Sequence, residues 1–554
     1  MDAADAEPET RSIANTDRAR DKFFWQPAAI IVAVTAVIVA GFQFSRLDGV
    51  IRNLATLSAL GLAGVLLFGW FVALSGLNKY LRRAVLGLGL VGAALFWIFF
   101  RIEGPAGDFS RLYFTRRFAP KHDLGLVDET RALSESNAQR ADLTTTSADD
   151  FPQFLGPSRD CVVHGVRLAR DWTTQPPREV WRVPVGAGWS SFAIVGDYAV
   201  TQEQRGVDEL VTCYELATGR LVWAHGDSTR YDSVVAGDGP RATPTIHQGK
   251  VYTQGSTGFL DCLDGATGKP IWSHDLVKEY NIVDAKGAPR LEWGRSGSPL
   301  IVDGMVILGV GGGKGNCVVA FDAETGDVVW HVGDDFVSYA SPMLATLAGK
   351  RQLVMINETT VTGHDPATGE ILWSYAWPPT DSKAAQPVVI DDHHILVAAS
   401  YGMGAMLLEI ESDDAGEFLV KPVWERFDLS LKPKFTNLAL VDRIVYGLDE
   451  GVMCAFDVDS KKRTWKRGRY GHGQLLAIGD LLLVTTEGGE VVLVEASADE
   501  HRELGRLQAL SDKTWNNPAL SGARLLVRNH KEAACYELPL APTVAAHRTS
   551  VATP

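Results

Sequence analysis

Arginine, lysine and aromatic side chains recur in this acidic chain at matching positions of a repeated unit. Trp189, Arg241, Tyr339, Gln386, Lys434, Asn437, His472, Trp515 and Asn516 each lie at or beside the start of a short apolar run. Arg295 directly precedes another such start, Ser296, and Arg205 ends the run Gln202-Glu-Gln-Arg-Gly206. Cations set among aromatics and amides suit an anionic group: a carboxylate, a small acidic ligand or a peptide end. The alternative is structural, with the same side chains bonding neighbouring repeats and filling the space between them. No residue takes a catalytic or metal-ligating role on spacing alone. No Asp, Asn and Glu cluster has the spacing of a Ca²⁺ loop. The stretch Gly309-Val-Gly-Gly-Gly-Lys-Gly315 lacks the phosphate-loop spacing and joins two strands, so it reads as a hairpin.

The elements that must position these residues are strands. A small apolar run, an Ala-Thr-Gly and then a Trp recur: Ala217-Thr218-Gly219 to Trp223, Ala266-Thr267-Gly268 to Trp272, Glu324-Thr325-Gly326 to Trp330, and Ala367-Thr368-Gly369 to Trp373. Weaker copies end at Trp424 and Trp465, and an orphan copy of the Trp half ends at Trp181. A strand-rich repeat of roughly 40–50 residues is a propeller blade. Glycine suits the tight turn before the last strand, an Asp such as Asp264, Asp322 or Asp365 caps it, and the Trp packs against the next blade. Eight inner-strand starts but only seven complete outer strands follow Trp189. Glu179–Val185, with Trp181, is the missing piece, so the beginning of the domain closes blade eight. In such a ring Arg241 faces Lys434, and Arg295 faces His472, so the cations encircle one mouth of the channel. Glu203 and Glu292 are the nearby acids.

Six cysteines (Cys161, Cys213, Cys262, Cys317, Cys454 and Cys535) form no CxxC pair. They read as small buried strand residues rather than metal, thioredoxin-like or c-type haem ligands. The formal net charge of −14, with no Arg/Lys-rich run, argues against nucleic acid as a partner.

Three apolar stretches precede the repeats, at about 28–44, 54–77 and 84–100, each near the roughly 20 residues that cross a bilayer. Arg11, Arg18, Arg20 and Lys22 precede the first, and Lys79, Arg82 and Arg83 fill the second loop. The positive-inside rule places both in the cytoplasm and the C-terminal part on the other side. Arg101, Arg111, Arg116 and Arg117, just after the third stretch, weaken that asymmetry. The expected organisation is a cytoplasmic tail (1–24), a three-helix membrane region (25–103), a polar tether (104–149), an eight-bladed propeller (150–541) and a disordered tail (542–554).

The Asp-Ala-x-Thr-Gly-x-x-x-Trp repeat resembles the pyrroloquinoline-quinone (PQQ) repeat shared by quinoprotein alcohol dehydrogenases and the outer-membrane assembly factor BamB family. Asp150-Phe-Pro-Gln-Phe-Leu-Gly-Pro157 and Gly239-Pro-Arg-Ala-Thr-Pro-Thr245 resemble segments of bacterial PQQ-like propellers of planctomycete type. The resemblance covers about residues 150–540 and none of the membrane stretches. It implies an all-β, eight-bladed propeller and two functions. One is a non-catalytic binding or scaffolding platform, BamB-like, in a bacterial inner membrane with its propeller in the periplasm. Such a platform has no expected cofactor, and its partners are envelope proteins or an anionic ligand at the mouth. The other is a quinoprotein oxidoreductase using PQQ and Ca²⁺. The vicinal cysteine pair and haem motif that often accompany the second are absent from the sequence.

Overall fold

The computed structural model describes residues 24–45, 48–126, 140–283, 290, 292–377 and 382–542. The cytoplasmic tail, the disordered tail and the middle of the expected tether therefore lie, wholly or nearly so, outside the described residues. Two compact units divide the chain, the second made of Asp48–Val50 and the residues from Ile102 on.

The first unit holds three helices: α1 (Gln26–Gln43), α2 (Gly49–Ala73) and α3 (Lys79–Phe99), each long and apolar enough to cross a membrane. Almost none of their surface is buried in the protein, as expected where lipid is the solvent. Helix α3 starts at Lys79 rather than at the expected Ala84. The reason is a cap: the Asn78 side chain accepts from the Tyr80 backbone N–H at 2.9 Å. That places Lys79, Arg82 and Arg83 within the first turn of the helix.

The second unit contains an eight-bladed propeller. Ahead of it come a hairpin, β1 (Phe100–Pro105) and β2 (Leu112–Arg116), then the short strands β3 (Val162–Val163) and β4 (Arg178–Pro184). Blade one is β5 (Ala193–Val195), β6 (Tyr198–Arg205), β7 (Asp208–Glu215) and β8 (Leu221–Asp227). Blade two is β9 (Thr245–His247), β10 (Lys250–Gln254), β11 (Phe259–Asp264) and β12 (Pro270–Asp275). Five four-stranded antiparallel blades follow, ending with that of Gln474–Ile478, on whose inner strand β3 adds in parallel. Blade eight takes three strands from the C-terminal end, the last being Glu532–Glu537. Its fourth is β4, antiparallel to it with Trp181 opposite Cys535. The ring thus closes through hydrogen bonds between its two ends.

Blades stack face to face, so middle strands are apolar on both sides; Leu481–Thr485 is buried throughout. Outer strands alternate, and Val328–Val332 buries only Trp330. The Trp and Gly of the repeat meet across blade boundaries. Trp181 Nε1 donates to Leu216 O at 2.8 Å, Trp223 to Gly265 O at 3.0 Å, Trp272 to Ala323 O at 3.2 Å and Trp330 to Pro366 O at 3.2 Å. Each ring lies against the turn glycine of the next blade. A Cβ on Gly268 would sit 2.5 Å from the Trp223 ring, and Gly268 has φ +71°. Glycine is thus required there twice, for backbone and for contact. All six cysteines are buried and unpaired.

The segment read as a polar tether is structured at both ends. Its start belongs to the β1–β2 hairpin. A 3₁₀ turn at His122–Leu126 follows, in which Asp123 pairs with Arg230 at 2.6 Å. Near its end, Leu143 is only 2% exposed and packs into the core of blades one and two. Polar composition hid these contacts because the segment adheres through backbone groups and ion pairs more than through an apolar face.

Candidate binding site at the channel mouth

Strand starts from successive blades and the tip of the β1–β2 hairpin enclose a cavity of about 180 Å³. Six of the expected residues line it: Trp189, Arg241, Tyr339, Lys434, Asn437 and Trp515. Trp293, Tyr401, Phe435 and Phe109 complete largely aromatic walls. Trp189 and Trp515 lie 4.7 Å apart between centroids, and Trp293 stacks on Tyr339 at 5.4 Å. Among the described residues lining the cavity none is Asp or Glu.

The two lining cations come from opposite sides of the ring. Arg241 is held by its own loop, donating to Gly237 O at 3.0 Å and to Ala236 O and Gly239 O at 3.3 Å each. It also lies 5.0 Å from the Tyr231 ring centre. Burial lowers its pKa. Lys434 donates to Gly107 O in the hairpin and lies over the Tyr401 ring at 5.3 Å. Burial pushes its ammonium down as well.

The hairpin tip is gripped from several sides. Gly107 N donates to Glu487 Oε1 at 2.7 Å, and Lys513 Nζ donates to Pro105 O at 3.4 Å. Glu487 is fully engaged, since Trp515 Nε1 donates to its Oε1 at 2.9 Å and His472 N to its Oε2 at 3.1 Å. Lys513 lies 4.0 Å from the Trp515 ring centre, and burial brings its pKa down to about 8. A Cβ on Gly107 would fall 2.4 Å from the His472 ring, so only glycine fits at the tip.

The other five expected residues stand outside the cavity, and Gln386 and Asn516 among them join neighbouring blades. Arg205 is buried on Glu203 at 2.9 Å and Tyr214 Oη at 3.0 Å. Arg295 donates to Gly309 O and Val310 O at 3.0 and 2.7 Å, with its pKa lowered to about 10 by burial. Gln386 exchanges hydrogen bonds with the Ser341 backbone at 2.9 and 3.0 Å. Asn516 donates to Ser190 O at 2.8 Å, fastening blade eight to blade one. His472 is 1% exposed, and neither ring nitrogen has a partner among the described groups. Arg205, Arg295, Gln386 and Asn516 thus spend their polar groups on structural hydrogen bonds. Of the acids, Glu203 pairs with Arg205 and Glu292 is exposed. Glu487, with Asp108 and Glu450, supplies acid near Lys434.

The residues not anticipated had a readable signal. Arg205 ends the second strand of its blade. The same slot around the ring holds Tyr401, Glu487 and His530, just past the second strands of blades five, seven and eight.

The arrangement fits an anion held on an aromatic body. Among the described lining residues no carboxylate stands ready for a Ca²⁺ ion beside PQQ. The oxygens on offer are those of amides and hydroxyls such as Asn437, Asn517 and Gln474, and the nearby Glu487 already accepts at both of its oxygens. The cavity is also smaller than the roughly 300–1,000 Å³ of pockets for larger ligands.

Residues 207–467 match a family model described as outer membrane protein assembly factor BamB. No curated protein matches the chain. Among solved structures, a europium-containing methanol dehydrogenase is similar, with TM-score 0.51 at 14% identity over 72% of this chain and 91% of that one. BamB from Moraxella catarrhalis gives TM-score 0.47 at 16% identity over 65% of this chain and 100% of that one. A quinohemoprotein alcohol dehydrogenase from Comamonas testosteroni gives 0.49 at 14% identity, over 75% and 84%. BamB-like and PQQ-dehydrogenase-like propellers both appear, and likeness at these identities speaks to fold alone.

Proposed function

We propose that this chain is a membrane-anchored, non-catalytic binding platform. Its propeller stands on the periplasmic face of a bacterial inner membrane, and its mouth takes the anionic group of a partner or small ligand. The observation that carries this reading is the lining of the mouth: aromatic walls, Arg241 and Lys434 on opposite sides, and no described carboxylate. Size narrows the ligand. An apolar cavity of about 150 Å³ accepts one benzene ring, so a space of about 180 Å³ suits a single-ring carboxylate or the end of a peptide. Envelope proteins that present such an end are the partners this reading expects.

The rival is a quinoprotein oxidoreductase on the same fold. The full chain, purified in detergent, should reduce no artificial dye when given PQQ, Ca²⁺ and a primary alcohol. Cross-linked membranes should yield envelope proteins on the wild type but not on an Arg241→Gln variant. Dye reduction at enzymatic rates would replace the platform with the oxidoreductase.

A further inference from the structure

Away from the mouth, a second group of chemistry-bearing side chains lies where blade one meets blade two. On the outer strand β8, Trp223, His225 and Asp227 alternate onto one face, and Trp223 bonds Gly265 of blade two, so this face looks across the boundary. Asp261, on β11 of blade two, is 1% exposed. One ligand atom from each of His225, Asp227 and Asp261 lies within 4.8 Å of the others, and His225 Nε2 is 3.9 Å from Asp227 Oδ1.

Asp261 Oδ1 is buried without a hydrogen-bond partner. Thr253 Oγ1, directly across the ladder on β10, is buried and equally unpartnered. The neighbouring Glu209, paired with Asp227 in register, does not relieve them. It accepts instead from Thr257 Oγ1 at 2.7 Å and from Ser256 N at 3.2 Å. A buried carboxylate oxygen facing a second carboxylate and an imidazole is costly unless a shared proton or a cation joins them, and a cation also engages the imidazole.

We propose that His225, Asp227 and Asp261 form a cation site that staples blade one to blade two. One nitrogen and two carboxylate ligands suit a borderline divalent ion, Zn²⁺ above all, better than Mg²⁺ or Ca²⁺, which take all-oxygen sets. Metal–ligand bonds of about 2.0–2.2 Å require the three groups to draw together. His225 and Asp227 have the freedom to do so, their side chains being 16% and 18% exposed, and that opening admits the ion and leaves room for a water as fourth ligand.

The test uses the full chain in detergent, stripped with a chelator and titrated with Zn²⁺. One equivalent should bind per chain and raise the melting temperature. Asp261→Asn should fold and, without metal, melt no lower than wild type. It should also bind Zn²⁺ at least about 10-fold more weakly and lose the zinc-dependent rise. Asp227→Asn and His225→Ala should weaken binding similarly. His394→Ala, at a surface His–Asp pair elsewhere, should leave uptake unchanged. Absence of one-to-one uptake by the wild type overturns the site. So does uptake that survives in a folded Asp261→Asn protein, uptake lost in His394→Ala, or a preference for Ca²⁺ over Zn²⁺.

Discussion

The side chain that defines the repeat is the Trp of the outer strand, and its partner is the glycine of the following blade. Trp223→Ala should destabilise the propeller by about 3–5 kcal/mol, the range for emptying a buried aromatic site. Gly268→Ala should cost at least about 1–2 kcal/mol for a side chain at positive φ, beyond its collision with the same ring. Equilibrium denaturation would measure both, and a neutral Gly268→Ala would contradict the docking described. His472 makes a second prediction. Burial, then the neighbouring Lys434, lowers its folded pKa to about 4, whereas the unfolded chain titrates near 6.5. The unfolded state therefore binds the extra proton between these values, and stability falls as pH drops from about 6.5 to 4. The loss reaches about 3 kcal/mol at most and is absent above pH 7. His472→Asn should flatten this acid limb in a pH series of melts; an unchanged limb would refute the assignment.

Among the elements, β4 is the closing piece. A fragment begun at Arg140 keeps Leu143 and β4, and should be soluble and monomeric. A fragment begun at Gly186 lacks the strand and Trp181, exposes the edge of Glu532–Glu537, and should aggregate. Equal behaviour of the two would contradict closure. The β1–β2 hairpin is tested by Gly107→Val, which has no room beside His472. Trypsin should then cut at Arg111, Arg116 and Arg117 several-fold faster than in wild type, and unaltered protection would mean the tip is not held there. These two elements also mark how far the sequence could be read. Period, turn glycines and the orphan Trp181 sufficed for eight blades and their closure, because each is a local signal repeated many times. The hairpin repeats nothing, and it binds through backbone groups such as the Gly107 N–H and through single side chains such as Glu103, 3.0 Å from Lys531, that no period marks. The mouth was half legible for a related reason. Strand starts identify who stands near the axis, but rotamers decide whether Arg241 lines a cavity while Arg295 turns to Gly309 and Val310.

At the scale of the whole molecule, three helices long and apolar enough to cross a membrane precede the propeller. The proposed topology, which puts Lys79, Arg82 and Arg83 in the cytoplasm, predicts that alkaline phosphatase joined after Pro554 is active and joined between α2 and α3 inactive. The reverse pattern would invert the topology. The central claim, that the mouth takes an anionic group against its aromatic walls, is tested most directly by titrating the full chain with benzoate as the probe and following tryptophan fluorescence. Trp189, Trp293 and Trp515 line the cavity and report on its filling. A saturable change is expected for wild type, weakened about 10-fold or more in a folded Arg241→Gln variant, as suits loss of one charge-assisted contact. No saturable change in the wild type, or equal affinity in the variant, would contradict the account.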